Sequence, residues 1–156
     1  MRLHLLCWVL DKYLTLWYGN DMEKSRYRQN VGCVFNLHLH FVWCPKYRKR
    51  VLQGEVASRL KELLTVKAEE LSVFIEGLEV MPDHVHLFVS VPPTDAPQFF
   101  VNQFKGYTSR VLREEFPVLR SSMPCLWSRS YYVGSAGHVS SETIQRYIAN
   151  QKERDG

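Results

Sequence analysis

From Cys33 to Trp43 the chain alternates with period two. Phe35, Leu37, Leu39, Phe41 and Trp43 fall on one parity, and Asn36, His38 and His40 on the other. Successive strand side chains point to opposite faces, so the run predicts a strand with one face in a core. Pro45 and the basic cluster Lys46-Tyr47-Arg48-Lys49-Arg50 end it.

Gly54 to Glu70 predicts a helix, with Val56, Leu60, Leu63, Leu64 and Val66 as its apolar stripe. Val73 to Val80 reads as a second strand and Met81-Pro82-Asp83 as a turn. A third strand, His84 to Val91, stops at Pro92-Pro93. Asp95 caps a second helix, with Gln98 completing a capping box, and that helix runs to about Phe116. Leu126 to Ser135 offers a fourth strand, and Gly134 to Gly137 loosens the chain. Ser140 or Ser141 caps a last helix, about Glu142 to Glu153. The order β-α-β-β-α-β-α implies an α+β fold: a ferredoxin-like or RRM-like antiparallel sheet with helices on one face, plus a C-terminal helix.

A chain of 156 residues, 46% hydrophobic and 23% charged, suits one globular domain with a real core. That domain is placed at residues 30–156. Residues 1–29 read as an N-terminal extension, with translation expected to begin at Met22. The run Leu3 to Leu10 has the character of a short signal core, but lacks a small-residue cleavage site. No apolar run reaches the roughly 20 residues of a membrane span. Four cysteines without CxxC pairing read as reduced thiols of a cytoplasmic protein. The net charge of +4 permits nucleic acid. Its placement says more. The block Lys46 to Arg50 sets cations around Tyr47, near Trp43, a surface where phosphates meet charge and bases stack. Lys105, Arg110 and Arg113 form a second basic set.

His84-Val85-His86 puts two imidazoles on one face of a strand, able to share a metal ion. His38-Leu39-His40 has the same spacing, and spacing does not rank the two pairs. On the last helix Ile144, Tyr147, Ile148 and Gln151 share a face. A glutamine ending an apolar stripe is anomalous, since an unpartnered buried amide costs a few kcal/mol, and a ligand role removes the anomaly. An amide oxygen with two neutral imidazoles suits Mg²⁺ or Mn²⁺ and leaves the ion's charge undiminished for a polyanion. With the Tyr147 phenol, the set fits nucleophilic attack on a metal-polarised phosphodiester. Asp83 is placed to orient a histidine.

Several segments in order resemble the HUH-superfamily single-tyrosine transposases of the insertion-sequence 200/605 type. They are Trp43 to Leu52, Pro82-Asp83-His84-Val85-His86-Leu87, Phe104-Lys105-Gly106, Leu126-Trp127 and Gln145 to Gln151. Related enzymes tied to repetitive extragenic palindromes are a near alternative. The Lys46-Tyr47-Arg48 block and the ending Asn150-Gln151 look more like the insertion-sequence type.

The resemblance implies His84, His86 and Gln151 as metal ligands, Tyr147 as nucleophile, and no metal role for His38 and His40. Mg²⁺ or Mn²⁺ is the expected cofactor. The placement of charge and aromatics, rather than the resemblance, marks Lys46, Tyr47, Arg48, Lys49, Arg50 and Lys105 as DNA-binding residues, against a solvated turn for the block and a plain helix surface for Lys105. Single-stranded DNA with hairpin ends, a homodimer, and a prokaryotic, DNA-associated cytoplasmic setting go with the resemblance, without membrane or small-molecule substrate. The expected reaction is cleavage and rejoining through a 5′-phosphotyrosine. A non-catalytic nucleic-acid-binding module and a water-using metal nuclease are the competing classes.

Overall fold

The computed structural model describes residues 27–135 and Arg146. The chain divides into two compact units, Met1–Asn36 and Leu37–Gly156. In the first, β1 (Arg28–Asn30) and β2 (Cys33–Phe35) form an antiparallel hairpin. Gly32 closes it at φ 92°, a backbone region that glycine enters without a Cβ penalty. The single long strand expected over Cys33 to Trp43 is therefore two strands. Residues 33–35 pair with β1, and the ladder of the main sheet starts only at His38.

The second unit carries β3 (His38–Trp43), α1 (Gly54–Glu70), β4 (Phe74–Met81), β5 (His84–Ser90), α2 (Pro97–Glu115), α3 (Pro117–Ser122) and β6 (Tyr132–Ser135). The sheet order is β4-β5-β3-β6, and every neighbouring pair is antiparallel. This is the split β-α-β arrangement of a ferredoxin-like fold. β3 and β5 are its inner strands. Their odd-numbered residues, Leu39, Phe41, Trp43, Val85, Leu87 and Val89, are buried and belong to the core that the helices share.

α1 contributes Leu60, Leu63, Leu64 and Ala68 to that core. Val66, expected in the stripe, points outward at 50% exposure. Lys67 is buried instead, its ammonium on Glu70 and over the Tyr107 ring. A lysine can lay its alkyl stem on apolar surface while its charged tip finds a partner. α2 contributes Phe100, Val101, Phe104, Thr108 and Leu112.

Two boundaries and one added helix differ from expectation. α2 has Ala96 as N-cap and Pro97 in its first turn, while the Asp95 carboxylate accepts from the Thr94 hydroxyl. Proline suits that first turn, where an N–H would lack an intrahelical partner. Pro117 restarts the chain as the short α3. The fourth strand begins only at Tyr132, because residues 126–130 are spoken for elsewhere. The Leu126 carbonyl accepts from Lys46 N–H, Ser128 N–H donates to Cys44, and the carbonyls of 128–130 turn toward Lys105.

Candidate metal centre and DNA interface

The even-numbered residues of the inner strands form the site. His38, His40 and Val42 of β3 and His84, His86 and Phe88 of β5 point away from the core, with His86 opposite Val42 and Phe88 opposite His40. The two histidine pairs, interchangeable by spacing, thus share one face of one sheet.

Their partners separate them. His84 Nδ1–H donates to the Asp83 carboxylate at 2.6 Å. Burial alone would raise the Asp83 carboxyl, but hydrogen bonds from His84 and Arg48 outweigh it and hold the group below the usual carboxylate range. His86 Nδ1 lies 3.0 Å from His40 Nε2. Burial, then the neighbouring His86, pushes the His40 pKa down to about 4, so His40 is neutral at pH 7. Its ring stacks on Phe88, with centroids 4.0 Å apart and planes 4° from parallel. His38 pairs with Glu76, 2.7 Å away, where a bulge in β4 re-aims that side chain.

A neutral histidine whose Nδ1–H donates keeps its lone pair on Nε2, the form in which an imidazole binds metal. The Asp83 carboxylate is placed to accept that bond from His84, and neutral His40 to accept it from His86. The rings of His84 and His86 sit 4.9 Å apart, nearly perpendicular. Among the described residues no group of three or more His, Cys, Asp or Glu is placed to hold a metal. Tyr147 and Gln151 lie outside the described residues; Arg146, beside them in sequence, is helical and exposed.

Most of the basic block occupies a one-turn 3₁₀ segment, Lys46–Arg48, after Pro45. Tyr47 and Arg48 both adopt left-handed backbone, at φ 64° and 51°. Such conformations in non-glycine residues cost on the order of 1–3 kcal/mol each and mark places where geometry is held for a purpose. Here the turn swings Arg48 to Asp83, at 2.8 Å, which ties the basic block to the support of His84. Tyr47 stands 72% exposed with Lys46 over its ring, and Lys49 reaches the Ser122 carbonyl.

Lys105 is not on this surface, contrary to expectation. Its side chain is buried, and its ammonium donates to the carbonyls of Ser128, Arg129 and Ser130 at 2.9, 3.2 and 3.4 Å. Burial lowers its pKa. All three donors of the ammonium are directed at backbone, so its place in the sequence beside other cations was misleading. Arg113 behaves alike, donating to the Met123 and Pro124 carbonyls. The residue that sequence reasoning missed is His40. Its signal was present in the repeated H-x-H spacing, but cross-strand register was needed to bring it to His86.

Residues 33–151 match the model of a family described as IS200-like transposase. The chain is 36% identical over 137 residues to the ISDra2 transposase TnpA of Deinococcus radiodurans, covering 86% of this chain and 94% of that protein. It is 32% identical over 135 residues to the transposase for insertion sequence element IS200 of Salmonella typhimurium, covering 85% and 86%. A crystal structure of a Deinococcus radiodurans transposase superposes with a TM-score of 0.66 at 37% identity, over 80% of this chain and 97% of that one. A REP-associated tyrosine transposase bound to a REP hairpin shares the fold, with TM-score 0.57 at 13% identity, over 83% and 73%.

Proposed function

Because the chain belongs to the IS200-like transposase family, and is therefore a DNA strand-transfer enzyme, we propose that it cuts and rejoins single-stranded DNA at insertion-sequence ends with Tyr147 as nucleophile. The observation that carries this reading is the pair His84 and His86 on one face of an inner strand. Each has its Nδ1 engaged, so its Nε2 can be offered to a cation.

The residues present fit a divalent ion of the Mg²⁺ or Mn²⁺ kind: the imidazoles of His84 and His86, with the Gln151 amide oxygen as third ligand. When bound, such an ion polarises the scissile phosphate and offsets the charge that develops on it. The Tyr147 phenolic oxygen forms a bond to phosphorus, and the bond from phosphorus to the 3′-oxygen breaks. The phenol's proton ends, net, on that oxygen, leaving a free 3′-OH and a 5′-phosphotyrosine. No water is consumed, so another 3′-OH can reverse the step and join new strands. Asp83 and His40 hold the two imidazoles throughout, and Arg48 brings a cation to the same place.

The substrate in this reading is a hairpin-bearing single strand, in keeping with the hairpin held by the REP-associated relative. The working form is a homodimer, DNA-associated in a prokaryotic cytoplasm. Among the described residues no helix is long and apolar enough to cross a membrane.

The deciding experiment incubates the full chain with MnCl₂ and a single-stranded oligonucleotide spanning the element's end, then denatures the mixture on a gel. A covalent protein–DNA band is expected, and Tyr147→Phe should remove it while leaving binding nearly intact. Cutting without a covalent band would make the protein a water-using nuclease. Binding without cutting would make it a non-catalytic module.

A further inference from the structure

Beside the histidine pair lies a groove of about 480 Å³, within the range of about 300–1,000 Å³ usual for small-ligand sites. One part of its lining is Arg48 with the histidine pair, His84 and His86. Another is Ser130, Tyr131 and Tyr132, at the entry to β6. We propose that this groove seats one unpaired nucleobase next to the scissile phosphate, with Tyr132 as the face on which it stacks. The inference rests on the transposase reading and deepens it, since it names what the second part of the groove receives.

The aromatic wall is built rather than incidental. Lys105, only 9% exposed, gathers the carbonyls of Ser128, Arg129 and Ser130, and its ammonium lies 5.7 Å from the centre of the Tyr131 ring. That clamp fixes the backbone on which the wall stands. Tyr132 then stands out from the surface at 58% exposure. Its ring runs along β6 across Gly134: a Cβ there would stand 2.6 Å from the Tyr132 hydroxyl. Glycine is what leaves that path clear. The ring also meets His40 edge-on, with centroids 5.9 Å apart. Phosphate chemistry and a held, solvent-facing aromatic therefore border one groove. This is the combination by which proteins take single-stranded nucleic acid: cations for the backbone, a π-face for the base. Stacking tolerates any base, so the seat would position a nucleotide without dictating its identity.

The test scans a single-stranded oligonucleotide from the element's end with one abasic residue at each position around the cut. Binding is read by fluorescence anisotropy and covalent adduct by gel, for the parent chain, Tyr132→Phe and Tyr132→Leu. In the parent, one position beside the scissile bond should lose about tenfold in affinity when abasic, in line with about 1–3 kcal/mol per stacked base. Tyr132→Phe should keep that dependence. Tyr132→Leu should bind the intact strand about tenfold more weakly and should be indifferent to the abasic residue at that position. If the two losses multiply instead, or if Tyr132→Leu binds the intact strand as tightly as the parent, the seat is refuted. A parent chain that binds with this pattern but forms no adduct would count against Tyr147 as nucleophile, not against the seat.

Discussion

The two faces of β3 and β5 are made from alternate residues of the same strands, yet their chemistry is opposite. Toward the helices stand Leu39, Phe41, Trp43, Val85, Leu87 and Val89, all buried carbon or aromatic surface. Away from them stand four imidazoles, two of them on carboxylates and the other two on each other. Burying apolar area drives folding without regard to direction. Hydrogen bonds that fix which nitrogen of a ring bears its proton depend wholly on direction. A period-two ladder lets one backbone serve both demands, and a slip of one residue would exchange the faces and lose both.

Mutations can break this division. Phe41→Ala, at a fully buried core position, should cost about 3–5 kcal/mol in a urea titration. A loss below about 1 kcal/mol, far under that range, would mean that the helix face does not carry the stability. His84→Ala on the other face should do the reverse. Its unfolding midpoint should stay near the parent's, while Mn²⁺-dependent adduct formation falls by more than the roughly 10–100-fold typical of losing a ligand's supporting partner. His38→Ala should fall far less, because that ring pairs with Glu76 on the neighbouring strand; equal losses would erase the distinction between the two histidine pairs.

Asp83→Asn sharpens the comparison, since it removes a carboxylate that sees both His84 and Arg48. Mn²⁺ affinity measured by electron paramagnetic resonance should weaken about 10–100-fold, with stability little changed. The smallest effect is expected from replacing Arg48 and Lys49 together by Gln. The slope of log affinity against log salt should shrink by about 0.7 for each single-strand phosphate that the turn no longer neutralises. An unaltered slope would mean that the turn serves Asp83 and Ser122 alone.

What could be read from the sequence was whatever depends on local period. Alternation gave the inner strands and their core face, and the i, i+2 spacing gave each histidine pair its common face. Register is different in kind. That Val42 stands opposite His86, and Phe88 opposite His40, follows from how strands dock, so the tie between His40 and His86 had no local sign. Lys105 failed for a related reason: a cation in a helix looks solvated until three carbonyls from residues 128–130 fold over it. The same carbonyls shortened the fourth strand. Asp95 carried the right chemistry for a helix cap one residue too early, and Pro97 in the first turn set the true start.

The last described strand, β6, pairs with β3, the first strand of the sheet. A ribosome must therefore deliver nearly the whole of residues 37–135 before that edge closes and the groove gains its aromatic wall. A nascent chain halted before Tyr132 would leave β3 with unsatisfied amides along one side, a surface that invites pairing with other unfinished copies. A chain that ends before β6 thus lacks, at one stroke, the closing edge of the sheet and the Tyr132 ring that lines the groove.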